Sequence, residues 1–444
     1  MKKTLIYNAR IIDKENDFTG GIIINGKKIE AVLSAKEAAS FAKQASFVTI
    51  NANGMALMPS FVDLHAHFRD PGFTAKEDIE SGSKAAVAGG YGTVVLMPNT
   101  DPPVSTAKEV RANNAKAKQL GLLNVIQSAS ITTHFDGENT AHLNELNAKE
   151  TPLITEDGRE VKSSAVMLDG MKKAAAKKMI VSCHCEDPFL AEEARPLRKE
   201  ALAKLAKAKK SPQLKKEAAE ILTKANTLLA LAEDTATFRN IRLAKEAGCH
   251  LHLCHVSTKE CIDAIRKAKA EGMNITAEIT PHHIGICGTK MPQIFEIVNP
   301  PLRSQDDIDS LIEALDDGTA DCISTDHAPH TEQDKLGGSP GFSGIETSFA
   351  VCYTTLVLGN AFTVSRLSEL MSYNPSKILG LKNTGLIKKG FAANVVLVDL
   401  ERIWTVRGKD FASKGKYTPL EGQKVVGKVV KTFYEGKTVF ELEK

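Results

Sequence analysis

Two histidines, His65 and His67, directly follow the apolar run Phe61-Val62-Asp63-Leu64. Side chains two apart on a strand share a face, so both imidazoles can reach one ion. Imidazole is a preferred ligand for zinc and related ions. A lone H-x-H pair is weak evidence, and its weight depends on what ends the other apolar runs. His184 sits in Val181-Ser182-Cys183-His184-Cys185-Glu186-Asp187. On a strand it faces away from both cysteines, which argues against a shared structural ion and leaves the cysteines as small buried apolar residues. His255 closes His250-Leu251-His252-Leu253-Cys254-His255, where alternation sets His250 and His252 opposite His255 and leaves the lining face open. Asp326 follows Ile323-Ser324-Thr325, and a carboxylate ending a buried strand is costly unless a cation or donor answers it. Asp157, in Thr155-Glu156-Asp157-Gly158, reads by itself as turn chemistry. Together the set predicts a two-metal hydrolase. Two cations about 3.5–4 Å apart can share a carboxylate and a hydroxide, lowering the pKa of water towards 7. A neighbouring aspartate can then carry the proton to a leaving nitrogen.

Something must hold these residues together, and the middle of the chain alternates short apolar runs with helical patterns. Phe61–His65, Thr93–Met97, Asn124–Ser128, Leu153–Thr155, Met179–His184, His250–His255, Ile275–Ile279 and Cys322–Thr325 read as strands. Such βα alternation predicts an α/β protein with a parallel sheet, and about eight units close a TIM-type barrel. In that fold chemistry sits at the C-terminal ends of strands, where the polar motifs fall. An open doubly wound sheet is the alternative, but no G-x-G-x-x-G follows an early strand. The two ends differ from the middle. Thr4–Ile12, Gly21–Asn25, Asn394–Leu400, Gly427–Tyr434 and Lys437–Leu442 read as strands, with Asn25-Gly26 as a hairpin turn. Residues 1–55 and 385–444 are thus expected to form one small sheet domain beside a barrel of residues 56–384. The Lys- and Ala-rich segment from Glu192 to Lys224 reads as a solvated helical excursion broken at Ser211-Pro212.

Composition narrows the function classes. A net charge of +3 over 444 residues argues against a nucleic-acid or membrane binder. No run approaches the roughly 20 apolar residues of a membrane span, and polar residues interrupt the start too early for a signal peptide. The eight scattered cysteines fit reduced thiols, so a cytoplasmic location is expected.

The run His65-Ala66-His67-Phe68-Arg69-Asp70-Pro71-Gly72 resembles the H-x-H-x-R-x-P-G signature of class I, bacterial-type dihydroorotases of the amidohydrolase superfamily. The resemblance continues through Met97-Pro98-Asn99-Thr100, His184-Cys185-Glu186-Asp187, His255-Val256-Ser257-Thr258, Asn299-Pro300-Pro301-Leu302-Arg303, Asp326-His327-Ala328-Pro329-His330 and Gly344-Ile345-Glu346-Thr347. It implies a metal-holding barrel with a β-sandwich from both termini. It assigns His65, His67 and Asp326 to one zinc, His184 and His255 to a second, and Asp157 to the bridge. Arg69 and Asn99 would grip a substrate carboxylate, His67, Asn299 and His330 would add contacts, and Pro340 and Gly341 would close over the ring. Asp326 would also be the general acid and base. The implied reaction is the reversible cyclisation of N-carbamoyl-L-aspartate to L-dihydroorotate, in a homodimer that could associate with aspartate transcarbamoylase.

The chain departs from that pattern in places. Glu156 stands where a second aspartate is usual, which leaves the identity of the bridge open. The excursion between His184 and His255 is long, and the lid-like segment Thr331–Pro340 is short. Hydantoinases and allantoinases share the barrel and the H-x-H, and a noncatalytic scaffold of the same fold is a rival of another class.

Overall fold

In the computed structural model, residues 2–208, 211–288 and 296–443 are described. The pair 209–210, inside the expected helical excursion, lies outside them. The strands in chain order are β1 (Lys3–Ile12), β2 (Asp17–Asn25), β3 (Lys28–Ser34), β4 (Phe47–Asn51), β5 (Ala56–Pro59), β6 (Phe61–Ala66), β7 (Tyr91–Leu96) and β8 (Asn124–Gln127). There follow β9 (Leu153–Thr155), β10 (Ile180–Cys183), β11 (His250–Leu253), β12 (Ile275–Ile279), β13 (Cys322–Ile323), β14 (Val395–Thr405), β15 (Lys424–Tyr434) and β16 (Lys437–Glu441).

Strands β6 to β13 are the eight expected from the apolar runs. They pair in parallel, β6-β7-β8 in one sheet and β9 to β13 in the other. Single parallel bridges, Ala129 to Ile154 and Ala66 to His327, join the two sheets on both sides. That closes the ring in chain order, the arrangement of a (β/α)8 barrel. The intervening helices carry sequence-legible ends. Ala107–Leu120, for example, starts at a Thr106/Glu109 capping box and stops at Gly121, whose φ of 65° suits a residue without a Cβ.

The two chain ends form one sheet in the order β16-β15-β14-β5-β1-β2-β3, with β4 beside β1. Its centre joins the ends, because β14 lies antiparallel to β5 and β5 parallel to β1. Alternation then sorts the side chains. Val395 and Leu397 pack with Ile6, Ile11, Leu57 and Phe433 on one face, while Val396 and Val398 join the barrel's own core on the other. Strand β5 belongs to this sheet and follows residue 55, so the expected division at 55/56 falls just ahead of it.

The segment from Pro188 to Ala247 forms two long helices, Pro188–Lys207 and Pro212–Ala247, packed as a hairpin outside the strand ring. Small residues set the contact: Ala194 meets Ala225 and Leu229, and Ala201 meets Ala218 and Leu222. Among the described residues no helix is long and apolar enough to cross a membrane.

Candidate active site

Each candidate ligand sits where a barrel strand stops. His65 is the next-to-last residue of β6 with His67 just beyond, and Asp157, His184, His255 and Asp326 follow β9, β10, β11 and β13. The backbone turns sharply at several of these points: φ is positive at Arg69 (59°), Cys185 (46°), His255 (33°) and Asp326 (47°). Such conformations are uncommon for residues with a Cβ and persist where the surroundings enforce them. The turn at His255 also settles the face left open by the sequence. Strand β11 ends at Leu253, so alternation no longer governs residue 255, and His250, His252 and His255 all lie on the inner side. His250 and His252 both meet Thr276 Oγ1 at 2.9 Å, below the cluster that His255 joins.

The cluster itself is tight and buried. His67 Nε2 lies 3.0 Å from Asp326 Oδ1, and His65 Nε2 lies 3.3 Å from Asp157 Oδ1 and 3.5 Å from Asp326 Oδ1. His184 Nδ1 is 3.4 Å from Asp157 Oδ1 and 2.9 Å from His255 Nε2. Asp157 therefore faces four imidazoles, with His67 at 3.6 Å and His255 at 3.9 Å completing the set. Glu156 points elsewhere: its carboxylate accepts from the backbone N–H groups of Ile131 and Thr132 and from the Thr132 hydroxyl. Of the two adjacent acids, only Asp157 is available to the cluster. Cys183 and Cys185 lie in the apolar core instead.

The donor set fits a metal. His65 Nε2 and Asp157 Oδ1 are buried without a hydrogen-bond partner, a state that costs roughly 1–3 kcal/mol per group unless something fills the gap. His65, Asp157 and His255, and likewise His65, His67 and Asp326, offer ligand atoms within 4.8 Å of one another. The far nitrogens of the rings are already engaged: His65 Nδ1 meets Glu278 Oε1 at 2.8 Å and His67 Nδ1 meets Asn99 Oδ1 at 2.9 Å. Each ring then presents an unprotonated nitrogen inward, the form that binds metal. A third grouping, His65, Cys254 and Glu278, uses the nitrogen committed to that hydrogen bond.

Electrostatics agree. Burial alone would raise the carboxyl groups of Asp157 and Asp326, but His65 and the other imidazoles hold both below the usual carboxylate range. Burial, then His184 and His65, push His255 down to about 3. His65 is held high against burial by Asp157, Cys254 and Glu278. A field that draws a proton to His65 also draws a metal ion, and the two compete.

A cavity of about 240 Å³ opens over the cluster, and every expected site residue except the deeper His65 lines it. Cavities of about 560 and 730 Å³ lie elsewhere and are lined by no histidine. Several groups expected to touch substrate are already committed. Asn99 also donates from Nδ2 to Asp157 Oδ2 at 3.0 Å, and Asn299 is bonded to Arg198 and Glu186. Gly341 donates to Ile297 O and accepts from Lys335, while Pro340 O meets His330 Nε2 at 2.9 Å. Arg69 is the exception. Its guanidinium is buried, its Nε has no hydrogen-bond partner among the described residues, and its Nη2 lies 3.4 Å from His330 Nε2. Sequence reading missed Glu278, Glu186 and Asp63. Asp63 accepts from the N–H groups of His65 and Thr325 and from the Thr325 hydroxyl, tying β6 to the Asp326 turn. The available signal was an acid inside an otherwise apolar strand.

The sequence profile of the amidohydrolase family matches residues 56–439. A dihydroorotase of Clostridium botulinum (strain Eklund 17B / Type B) is 42% identical over 434 residues, covering 98% of each chain. A dihydroorotase of Halalkalibacterium halodurans is 36% identical, covering 99% of this chain and 98% of its own. Among solved structures, an L-hydantoinase (dihydropyrimidinase) from Arthrobacter aurescens superposes with a TM-score of 0.83 at 25% identity, covering 99% and 96% of the two chains. The family is metal-dependent, in keeping with the His and Asp groupings described above. The chain belongs to the amidohydrolase family and, within it, to the dihydroorotases.

Proposed function

We propose that the chain interconverts N-carbamoyl-L-aspartate and L-dihydroorotate in pyrimidine (UMP) biosynthesis, with two zinc ions per subunit. The observation that carries this reading is Arg69, a buried guanidinium in the cavity lining whose Nε has no hydrogen-bond partner among the described residues. A planar, donor-only fork suits a carboxylate. Dihydroorotate and carbamoyl aspartate carry a carboxylate, whereas hydantoin and dihydrouracil are neutral rings.

Nitrogen and carboxylate donors suit zinc. His65, His67 and Asp326 would hold one ion, His184 and His255 the other, with Asp157 shared. When bound, such ions polarise a carbonyl and acidify water towards neutral pH. The chain's own groups then do the rest. Arg69 takes the substrate carboxylate and fixes the ring over the cluster. In ring opening, Asp326 accepts a proton from the attacking water and passes it to the ring nitrogen as the C–N bond breaks. The new carboxyl group releases one proton to solvent. Ring closure runs the same path backwards. Asn99 keeps His67 and Asp157 in register through its amide, and His330, Asn299, Pro340 and Gly341 shape the cavity's outer wall.

The reading extends to a cytoplasmic homodimer with reduced thiols, to be checked by sedimentation and by pull-down with aspartate transcarbamoylase. It treats residues 1–55 with 385–444 as one unit and 56–384 as the barrel, with β5 the part of the latter that pairs into the terminal sheet. The rival is a hydantoinase-type activity, favoured by the likeness to the L-hydantoinase structure. The test is turnover of carbamoyl aspartate and dihydroorotate beside dihydrouracil, hydantoin and allantoin. Turnover of a neutral ring without dihydroorotate would sink the proposal.

A further inference from the structure

The helix Pro188–Lys207 lies outside the ring of strands, yet one of its side chains reaches the cavity wall. Arg198 donates from Nη1 to Asn299 Oδ1 at 2.8 Å and from Nη2 to Val298 O at 3.0 Å. Asn299 donates from Nδ2 to Glu186 Oε2 at 2.6 Å. Glu186 Oε2 in turn faces His184 Nε2 at 3.9 Å, the ring nitrogen turned away from Asp157. A guanidinium only donates and a carboxylate only accepts, so these two neighbours decide which end of the Asn299 amide carries the oxygen. Without Arg198 only Glu186 selects the orientation, and the Asn299 oxygen loses the donor that held it. An arginine is needed because its fork reaches two acceptors at once, where an ammonium is a single point. One turn along the same helix, Leu202 packs against Gly338, where a Cβ would overlap the leucine. Gly338 belongs to the lid segment, so this helix touches both the wall and the lid.

We infer that Arg198 is a positioning residue for the site: it sets the Asn299 amide and, through it, holds Glu186 against the outer nitrogen of His184. The kinetic part of this inference rests on the dihydroorotase reading, and the zinc-binding part does not.

A double-mutant cycle tests it, using wild type, R198M, N299A and the pair. R198M lowers kcat/KM for carbamoyl aspartate roughly tenfold, the scale of one charge-assisted hydrogen bond. The double variant is no worse than N299A, because Arg198 acts through that residue. R198K, holding one acceptor of the two, recovers part of the loss. Additive losses, or wild-type kcat/KM in R198M, overturn the inference. Zinc titration of the metal-stripped proteins gives a readout without substrate. E186Q weakens zinc binding by roughly tenfold, R198M weakens it too, and R198M adds nothing in the E186Q background. Wild-type zinc affinity in R198M overturns the inference. If R198M does not fold, R198K carries both cycles. A wild type that binds zinc but turns over neither carbamoyl aspartate nor dihydroorotate removes the dihydroorotase reading and leaves the zinc cycle to decide on Arg198.

Discussion

His65 and Glu278 meet inside the barrel, Nδ1 to Oε1 at 2.8 Å, with both side chains fully buried. The second Glu278 oxygen meets His252 Nε2 at 3.1 Å, and the His255 backbone N–H donates to the first at 3.3 Å. One carboxylate thus orients a ring from β6 and a backbone from the end of β11. Burial would raise its carboxyl, but His65 and His252 hold it well below the usual range, so it is an acceptor throughout. E278Q replaces that acceptor with an amide able to turn a donor toward His65. The expected outcome is a zinc affinity lower by roughly 10–100-fold, the usual cost of losing an outer partner of a ligand. Titration of the metal-stripped variant, with circular dichroism to confirm folding, checks it. Wild-type affinity would show that His65 does not need Glu278 to present its nitrogen.

In the proposed reading Asp326 combines a ligand position with proton transfer. Its carboxyl is fully ionised near neutral pH because the imidazoles overcome the effect of burial. D326N keeps the size and one oxygen but cannot carry a proton. Turnover in either direction falls by at least roughly 100-fold, the lower end of what a positioned acid/base contributes. Rates are compared at equal measured zinc content, which separates lost chemistry from lost metal. A D326N protein within a few-fold of wild-type kcat would refute the proton-carrying role.

The barrel was legible because each of its strands is a short apolar run ended by a polar motif, from Phe61 to Cys322. The candidate ligands were legible for the same reason: they are the polar residues at those ends. Their partners were not. Glu278 reads as an isolated acid within Ile275–Ile279, and only closure of the ring brings it to His65, 213 residues away. Arg198 sits among lysines on a helix that reads as solvated, and its partner Asn299 is 101 residues on. Lys335 misleads in the same way. Charge suggests a surface residue, but its ammonium is buried against the carbonyls of Ile297, Ser339 and Gly341. Periodicity reports which face an element buries, and says nothing of which distant polar group meets it there.

Arg69 gives the sharpest test of substrate choice. The guanidinium has donors to spare: among the described residues it hydrogen-bonds only His330, at 3.4 Å, while Asp326, Asp157, Asp334 and Glu77 act on it through space. R69A is expected to cut kcat/KM for dihydroorotate by roughly 100-fold, about two charge-assisted hydrogen bonds. Trace activity on neutral dihydrouracil, if wild type has any, should stay unchanged because that ring offers Arg69 nothing to bind. R69K restores charge without the bidentate fork and recovers only part of the loss. An equal loss on both rings would mean that Arg69 supports the cluster rather than the carboxylate.

Glu346 links pH to stability outside the candidate ligand set. Burial pushes its carboxyl up to about 7, against the N–H groups of Ala412 and Ser413, which donate to it at 3.0 and 3.1 Å. The unfolded chain ionises this group near 4.5, so between about 4.5 and 7 the folded state holds more proton than the unfolded one. Its contribution to stability is therefore complete below about 4.5 and is lost as pH rises through about 7. The loss is on the order of 3 kcal/mol by linkage. E346Q cannot ionise, so its stability relative to wild type should improve between pH 5 and pH 8. Urea unfolding of both proteins across that window reads the difference directly, and parallel pH profiles would show that Glu346 stays ionised in the folded protein.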